Sequence, residues 1–241
     1  MANLLIEIGN TALKAAWSEG VTLGKLFRYQ GEKVMEYILS LTEREKPEAI
    51  AIISQFPLSE EECSLLRNEC HNLIVLDCRH TEVLEGLGLP EHLTYDRAAS
   101  IVAVRNMFNG KPCTLFDFGT TVTVDFLDAA GLYEGGNISP GCLTRFKALN
   151  RYTKTLPLLD IPEKVMERGD SVETSMESGV ISGIMFEIEG YVRLHPENTV
   201  VFTGGDAIYF AKRMKNSIFV VCNLVLMGLA MITDRYVKEN S

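Results

Sequence analysis

The chain has 241 residues, 46% hydrophobic and 23% charged, which is enough to bury the core of one large domain or two modest ones. Its formal net charge of -9 and the lack of any basic run longer than two residues argue against a nucleic-acid partner. No apolar run nears the roughly 20 residues of a membrane span, so a membrane partner is not expected either.

The opening "MANLLIEIGN" has no basic n-region and enters a strand-like run at once, unlike a signal peptide. A cytoplasmic protein is expected. Leu4 to Ile8 is a short apolar strand broken by one acid, Glu7. "VTLGKLFRY" alternates weakly and is a candidate hairpin partner for it. Residues 32–46 place Val34, Tyr37, Ile38 and Leu41 on one helical face. "EAIAIIS" and "LIVLD" are buried strands by length and β-branching, and between them Ser59 with Glu62 forms a capping box opening a helix to about His71. In "YDRAASIVAVRNMFNG" the helical spacing returns, with Asp96 as N-cap and Asn109-Gly110 as stop.

The second half opens with three strands, "TLFDFG", "TVTVDFLD" and "LYEGGNISPG", the second turn falling at Asp128–Gly131. "CLTRFKALNRY" and residues 170–192 read as helices, the latter carrying Gly179 and Gly183 four apart, a spacing suited to close helix packing. "TVVFTGG" is a strand ending in two glycines, and two helices close the chain. The six cysteines have no C-x-x-C spacing and the four histidines are scattered, so neither zinc nor a disulfide framework is expected.

One phrase occurs twice. "LLIEIGNTALK" and "LFDFGTTVTVDF" each place an acid, one residue, a glycine, then Asn-Thr or Thr-Thr between apolar runs. This weak internal repeat divides the chain near residue 110 into halves 1–110 and 111–241. Glycine lets a backbone approach a ligand closely, and turn N–H groups with a hydroxyl or amide can hold phosphate oxygens. The acid two residues earlier can hold a cation that itself holds phosphate. Ordinary tight turns would read the same way, but the repetition favours a two-sided phosphate clamp. Asp96-Arg97 also reads two ways: an N-cap followed by a surface arginine, or a general base beside a carboxylate binder.

With "VVFTGGDA" following in this order, the chain resembles the superfamily of acetate and sugar kinases, heat-shock ATPases and actin. That resemblance implies an α/β fold of two duplicated actin-like, ribonuclease H-like domains with a nucleotide cleft between them. Residues 117–157 resemble the type III pantothenate kinases, whose pattern there is D-x-G-T-A-x-T-x-D, G-x-Y-x-G-G-x-I-x-P-G and A-L-x-x-x-T-A-x-L-P. "EIGNTALK" resembles that family's D-x-G-N-T-x-x-K, and "TYDR" its G-x-D-R.

The resemblance implies phosphorylation of pantothenate by ATP at the 4′-hydroxyl, in a homodimer. Glu7, Ile8, Gly9, Asn10, Thr11 and Lys14 would meet ATP from the first turn, Gly119 and Thr120 from the second, and Gly204 and Gly205 at the nucleoside. Glu7 would hold Mg²⁺ through water and Asp117 a monovalent cation, K⁺ or NH₄⁺. Asp96 would be the base, with Thr94, Tyr95, Arg97 and Val172 at the substrate. The departures are Glu7 for Asp, Thr94 for Gly, Lys154 for Ala, Val172 for Thr and Leu87 for a Tyr. They leave open a second function, that of a non-catalytic transcriptional accessory protein. A sugar kinase of the same superfamily would be nearly twice as long.

Overall fold

The computed structural model describes residues 2–77 and 86–239. They form two compact units: Met1–Met107 with Asn223–Ser241, and Phe108–Cys222.

In the first unit, β1 (Asn3–Ile8) pairs antiparallel with β2 (Leu13–Glu19) and parallel with β4 (Ala49–Ser54). β3 (Thr22–Tyr29) extends the sheet beyond β2, and β5 (Asn72–Leu76) beyond β4. The order is therefore β3-β2-β1-β4-β5. The run 22–29, expected as a partner for β1, is separated from it by β2. β4 is buried at all six positions, as a strand covered on both faces must be, which explains its unbroken apolar sequence.

Helix α1 (Val34–Thr42) sends Ile38 into the core, with Val34, Tyr37 and Leu41 packed beside it. Helix α2 (Glu60–Arg67) has the expected capping box of Ser59 and Glu62 but stops at Arg67, short of His71. Helix α3 (Tyr95–Met107) buries nine of its residues.

The second unit repeats the plan. β6 (Cys113–Phe118) pairs antiparallel with β7 (Thr121–Leu127), which pairs with β8 (Tyr133–Pro140). On its other side β6 runs parallel to β9 (Thr199–Gly204), and β10 (Phe219–Val220) follows. Read from β8, this order matches that of the first sheet. Helices α4 (Cys142–Tyr152), α5 (Val172–Leu194) and the short α6 (Ala207–Ala211) accompany it. Its core holds Phe116, Phe118, Phe202 and Phe210; Phe202 meets Phe118 edge to face at 4.8 Å between centroids, a favoured aromatic geometry.

The last helix, α7 (Leu224–Glu239), corrects the division expected at residue 110. It packs on α3 and on the first sheet, so it belongs to the first unit although it ends the chain. The two helices meet at Gly228: a Cβ there would lie 1.8 Å from the Ala99 carbonyl oxygen. The close packing expected of Gly179 and Gly183 is not found among the described residues. A Cβ on Gly179 would meet nothing within 4 Å, and one on Gly183 only the Arg145 side chain at 3.5 Å. Gly228→Ala should therefore destabilise the protein by at least about 1–3 kcal/mol, the usual range for an overpacked core. Thermal unfolding would show it, with Gly179→Ala unfolding near wild type.

Candidate active site

In the first unit the candidate residues gather at the carboxyl ends of β1 and β4, where open α/β sheets bind ligands. β1 ends at Ile8, and the exposed residues Asn10 and Thr11 span the turn to β2, closed by the Gly9 N–H donating to the Ala12 carbonyl at 3.1 Å. The hairpin register sets Glu7 directly opposite Lys14. Their side chains therefore share one face. The Lys14 ammonium stands 3.2 Å from both Glu7 oxygens.

Glu7 is largely withdrawn from water, and this burial pushes its pKa above the ordinary value of 4.5. Lys14 opposes the rise, while the negative charge of Asp96 adds to it. The coupling brings Asp96 into the same electrostatic neighbourhood as the first turn.

Asp96 is half-buried in the first turn of α3. The N-cap expected at Asp96 is corrected: the helix already includes Tyr95, and the Thr94 carbonyl accepts the Ala98 N–H at 2.9 Å. The Asp96 carboxylate accepts the Arg97 N–H at 2.8 Å, and Gln55 Nε2 reaches its other oxygen at 3.5 Å. Gln55 follows β4, whose parallel register sets Ser54 beside Ile8. Sequence reasoning missed Gln55, because no local pattern shows that β4 lies beside β1.

Around Asp96, Thr94 is exposed while Tyr95 and Arg97 are buried; Arg97 is only 9% exposed. The Arg97 of a surface N-cap motif would be solvated, so its burial disfavours that reading. At the departure Leu87, the main-chain carbonyl accepts from Arg105 Nη1 at 2.9 Å.

In the second unit, Gly119 and Thr120 form an exposed two-residue turn between β6 and β7, with the Gly119 N–H donating to the Thr121 carbonyl at 2.9 Å. Beside it ends β9. Gly204 has φ +92, and a Cβ there would lie 2.4 Å from both Asp117 Oδ1 and the Phe118 carbonyl oxygen. Only glycine fits so positive a φ at so close an approach. Asp117, Gly119, Thr120, Gly204 and Gly205 thus come together as one cluster.

Val172 is not part of it. It opens α5, half exposed, in a groove of about 1230 Å³ flanked by α4 and α5, and the Asp96–Arg97 segment lies in the other unit. The neighbouring Ser171 and Thr174 are occupied in the helix's own capping box. The described cysteines 63, 70, 113, 142 and 222 are free.

The residues suit the two implied cations. Mg²⁺ in kinases rests on one or two carboxylates and the substrate phosphates rather than on a protein cage. Glu7 offers one such carboxylate beside a phosphate-type turn, and no group of three or more metal-ligating side chains occurs among the described residues. For a monovalent cation, the Asp117 carboxylate and the Phe118 carbonyl are hard oxygen donors at the end of β6, beside Gly204.

The sequence profile of the type III pantothenate kinases matches residues 3–194. A type III pantothenate kinase from Phocaeicola vulgatus is 37% identical over 235 residues, covering 95% of this chain and 97% of its own. One from Bacteroides fragilis (strain YCH46) is 34% identical over 238 residues, covering 96% and 97%.

Among solved structures, the activator of 2-hydroxyisocaproyl-CoA dehydratase from Clostridium difficile, with bound ADPNP, superposes with a TM-score of 0.60 at 14% identity, covering 100% of this chain and 97% of its own. MreB5 of Spiroplasma citri, bound to ADP, gives 0.54 at 12% identity, covering 99% and 98%. A conserved Campylobacter jejuni protein assigned to the Baf family of transcriptional activators gives 0.60 at 22%, covering 98% of each. At these identities the structures speak for the fold alone, and that fold is the actin-like one of duplicated α/β halves. Full-length sequence similarity goes further: this chain belongs to the type III pantothenate kinase family.

Proposed function

We propose that the protein transfers the γ-phosphoryl group of ATP to the 4′-hydroxyl of pantothenate, the first step towards coenzyme A. The observation that carries this reading is that Asp96, reached by Gln55 just after β4, lies at the same sheet end as the Glu7–Lys14 pair. It sets a candidate base beside a candidate phosphate site.

Phosphoryl transfer needs positioning and charge neutralisation more than covalent help. Gly9, Asn10 and Thr11 offer exposed polar groups to the β- and γ-phosphates, and Lys14 adds a point charge. Gly119 and Thr120 take phosphate oxygens in the same way. Gly204 and Gly205 leave a surface free of side chains for the nucleoside. Mg²⁺, when bound with ATP, neutralises phosphate charge, and Glu7 is the residue that would hold it through water.

Arg97 holds the pantothenate carboxylate, and Asp96 accepts the proton of the hydroxyl as its oxygen attacks the γ-phosphorus. The bond from that phosphorus to the β-phosphate oxygen breaks, and ADP leaves with the electron pair. The reading carries with it the homodimer that the family resemblance implies and the cytoplasmic residence expected from the sequence. The Campylobacter relative, similar at the level of fold, adds nothing to the transcriptional alternative.

A coupled assay of ADP release with and without pantothenate tests the proposal: release should depend on pantothenate, and equal release without it would refute the assignment. The cation role gives a second expected outcome. If Asp117 and the Phe118 carbonyl hold a monovalent cation, turnover should require K⁺ or NH₄⁺ and fail in Na⁺. Equal rates in the three salts would remove that role from Asp117.

A further inference from the structure

The second turn is held from behind by a residue that no phosphate motif contains. Thr144 stands in the first turn of α4, whose N-cap is Gly141, a residue with no side chain to give. Its hydroxyl is not used in capping that helix. It donates instead to the Thr120 carbonyl at 2.6 Å, 24 residues back along the chain. The Gly141 N–H donates to the same oxygen at 2.9 Å.

The approach is close. A Cβ on Gly141 would lie 2.1 Å from the Gly119 carbonyl oxygen and 2.8 Å from that of Thr120. The start of α4 is pressed against the tip of the hairpin.

That start is itself anchored. Arg145 Nε donates to the Pro140 carbonyl at 2.8 Å, and its Nη2 reaches Ser139 Oγ at 3.2 Å and the Glu187 carboxylate on α5. Ser139 Oγ donates to the other Glu187 oxygen at 2.6 Å. Charge-assisted contacts of this kind are short and directional. A continuous path of hydrogen bonds therefore runs from α5 through Arg145 and the end of β8 to the Thr120 carbonyl.

We infer that Thr144 is a positioning residue: it fixes the exposed Gly119–Thr120 turn in the one geometry that receives a phosphate. The inference rests on the proposed kinase reading. An exposed two-residue turn has few contacts of its own, and a planar peptide pinned at its carbonyl cannot rock about its neighbours. The ordering is then complete before ATP arrives and is not charged against binding.

Three variants test it: Thr144→Val, which keeps the shape and removes the donor; Thr144→Ser, which keeps the donor; and Thr120→Ala, which alters the turn itself. KM for ATP, KM for pantothenate and the melting temperature are measured for each. Thr144→Val is expected to raise KM for ATP about tenfold, the scale of one good hydrogen bond. It should leave KM for pantothenate and the melting temperature near wild type, and Thr144→Ser should restore the ATP value.

If Thr120→Ala raises KM for ATP and Thr144→Val does not, the inference about Thr144 is wrong while the turn keeps its role. If neither variant moves it, the second turn does not receive phosphate and the parent reading of that turn fails as well. A Thr144→Val protein whose melting temperature falls and whose two KM values rise together would show a merely structural contact, and would overturn the inference too.

Discussion

Asp96→Asn is expected to lower kcat by about 10² or more, the usual contribution of a positioned general base, while ATP binding stays near wild type. The substitution is nearly isosteric. The amide oxygen can still accept the Arg97 N–H that Asp96 Oδ1 accepts at 2.8 Å, so the first turn of α3 keeps its geometry. What disappears is the negative charge and the ability to take a proton from the substrate hydroxyl. Loss of that charge also removes one of the influences that raise the Glu7 pKa, so nucleotide affinity has no electrostatic reason to fall. Single-turnover phosphoryl transfer, with nucleotide binding followed separately, distinguishes the two steps. Near-normal turnover of Asp96→Asn would end the assignment of Asp96 as the base.

The second large effect is expected at Glu7. Glu7→Gln should cost about 10² in kcat/KM for ATP, the loss typical when a reacting group is misplaced by an ångström. Two functions go at once: the carboxylate that would hold Mg²⁺, and the partner that holds Lys14 at 3.2 Å. Glu7→Asp should keep substantial activity. The carboxylate survives opposite Lys14 in the hairpin register, and a water can fill the length of one methylene.

The pH dependence follows from the same burial. Desolvation raises the Glu7 pKa, against the pull of Lys14. The group must be ionised to pair with Lys14 and to serve Mg²⁺, and raising the pH through its folded-state pKa ionises it. The acid limb of kcat/KM for ATP should therefore lie above 4.5 in the wild type, and this limb should be absent from Glu7→Gln. A Glu7→Gln protein that turned over like wild type across a Mg²⁺ titration would reduce the first turn to a structural element.

What could be read in advance divides along the range of the interactions. The duplicated acid-x-Gly phrases were legible because turn chemistry is local, and both occupy the expected strand-turn-strand. The Ser59–Glu62 capping box was legible for the same reason. The Glu7–Lys14 pair was not, since the two were given separate duties; their meeting depends on register across a hairpin whose turn length had to be known. Gln55 reaches Asp96 only because the end of β4 lies near the start of α3, a non-local fact.

Sequence order alone puts the last helix in the second half, whereas its partner α3 lies more than a hundred residues earlier. The glycine spacing at 179 and 183 imitated close helix packing. The true contact, Gly228 on Ala99, stands in an apolar helix with nothing around it to mark it. Thr144 carried no signal, because its role lies in a single hydrogen bond to a turn 24 residues away.

The most direct test is the identity of the product. The purified protein, given ATP, Mg²⁺, K⁺ and pantothenate, should form ADP and one phosphomonoester in equal amounts. Phosphorus NMR and mass spectrometry should place the new phosphate on the 4′-oxygen of pantothenate. Unchanged pantothenate after complete conversion of a control kinase in the same buffer would contradict the proposed function, whatever the fold.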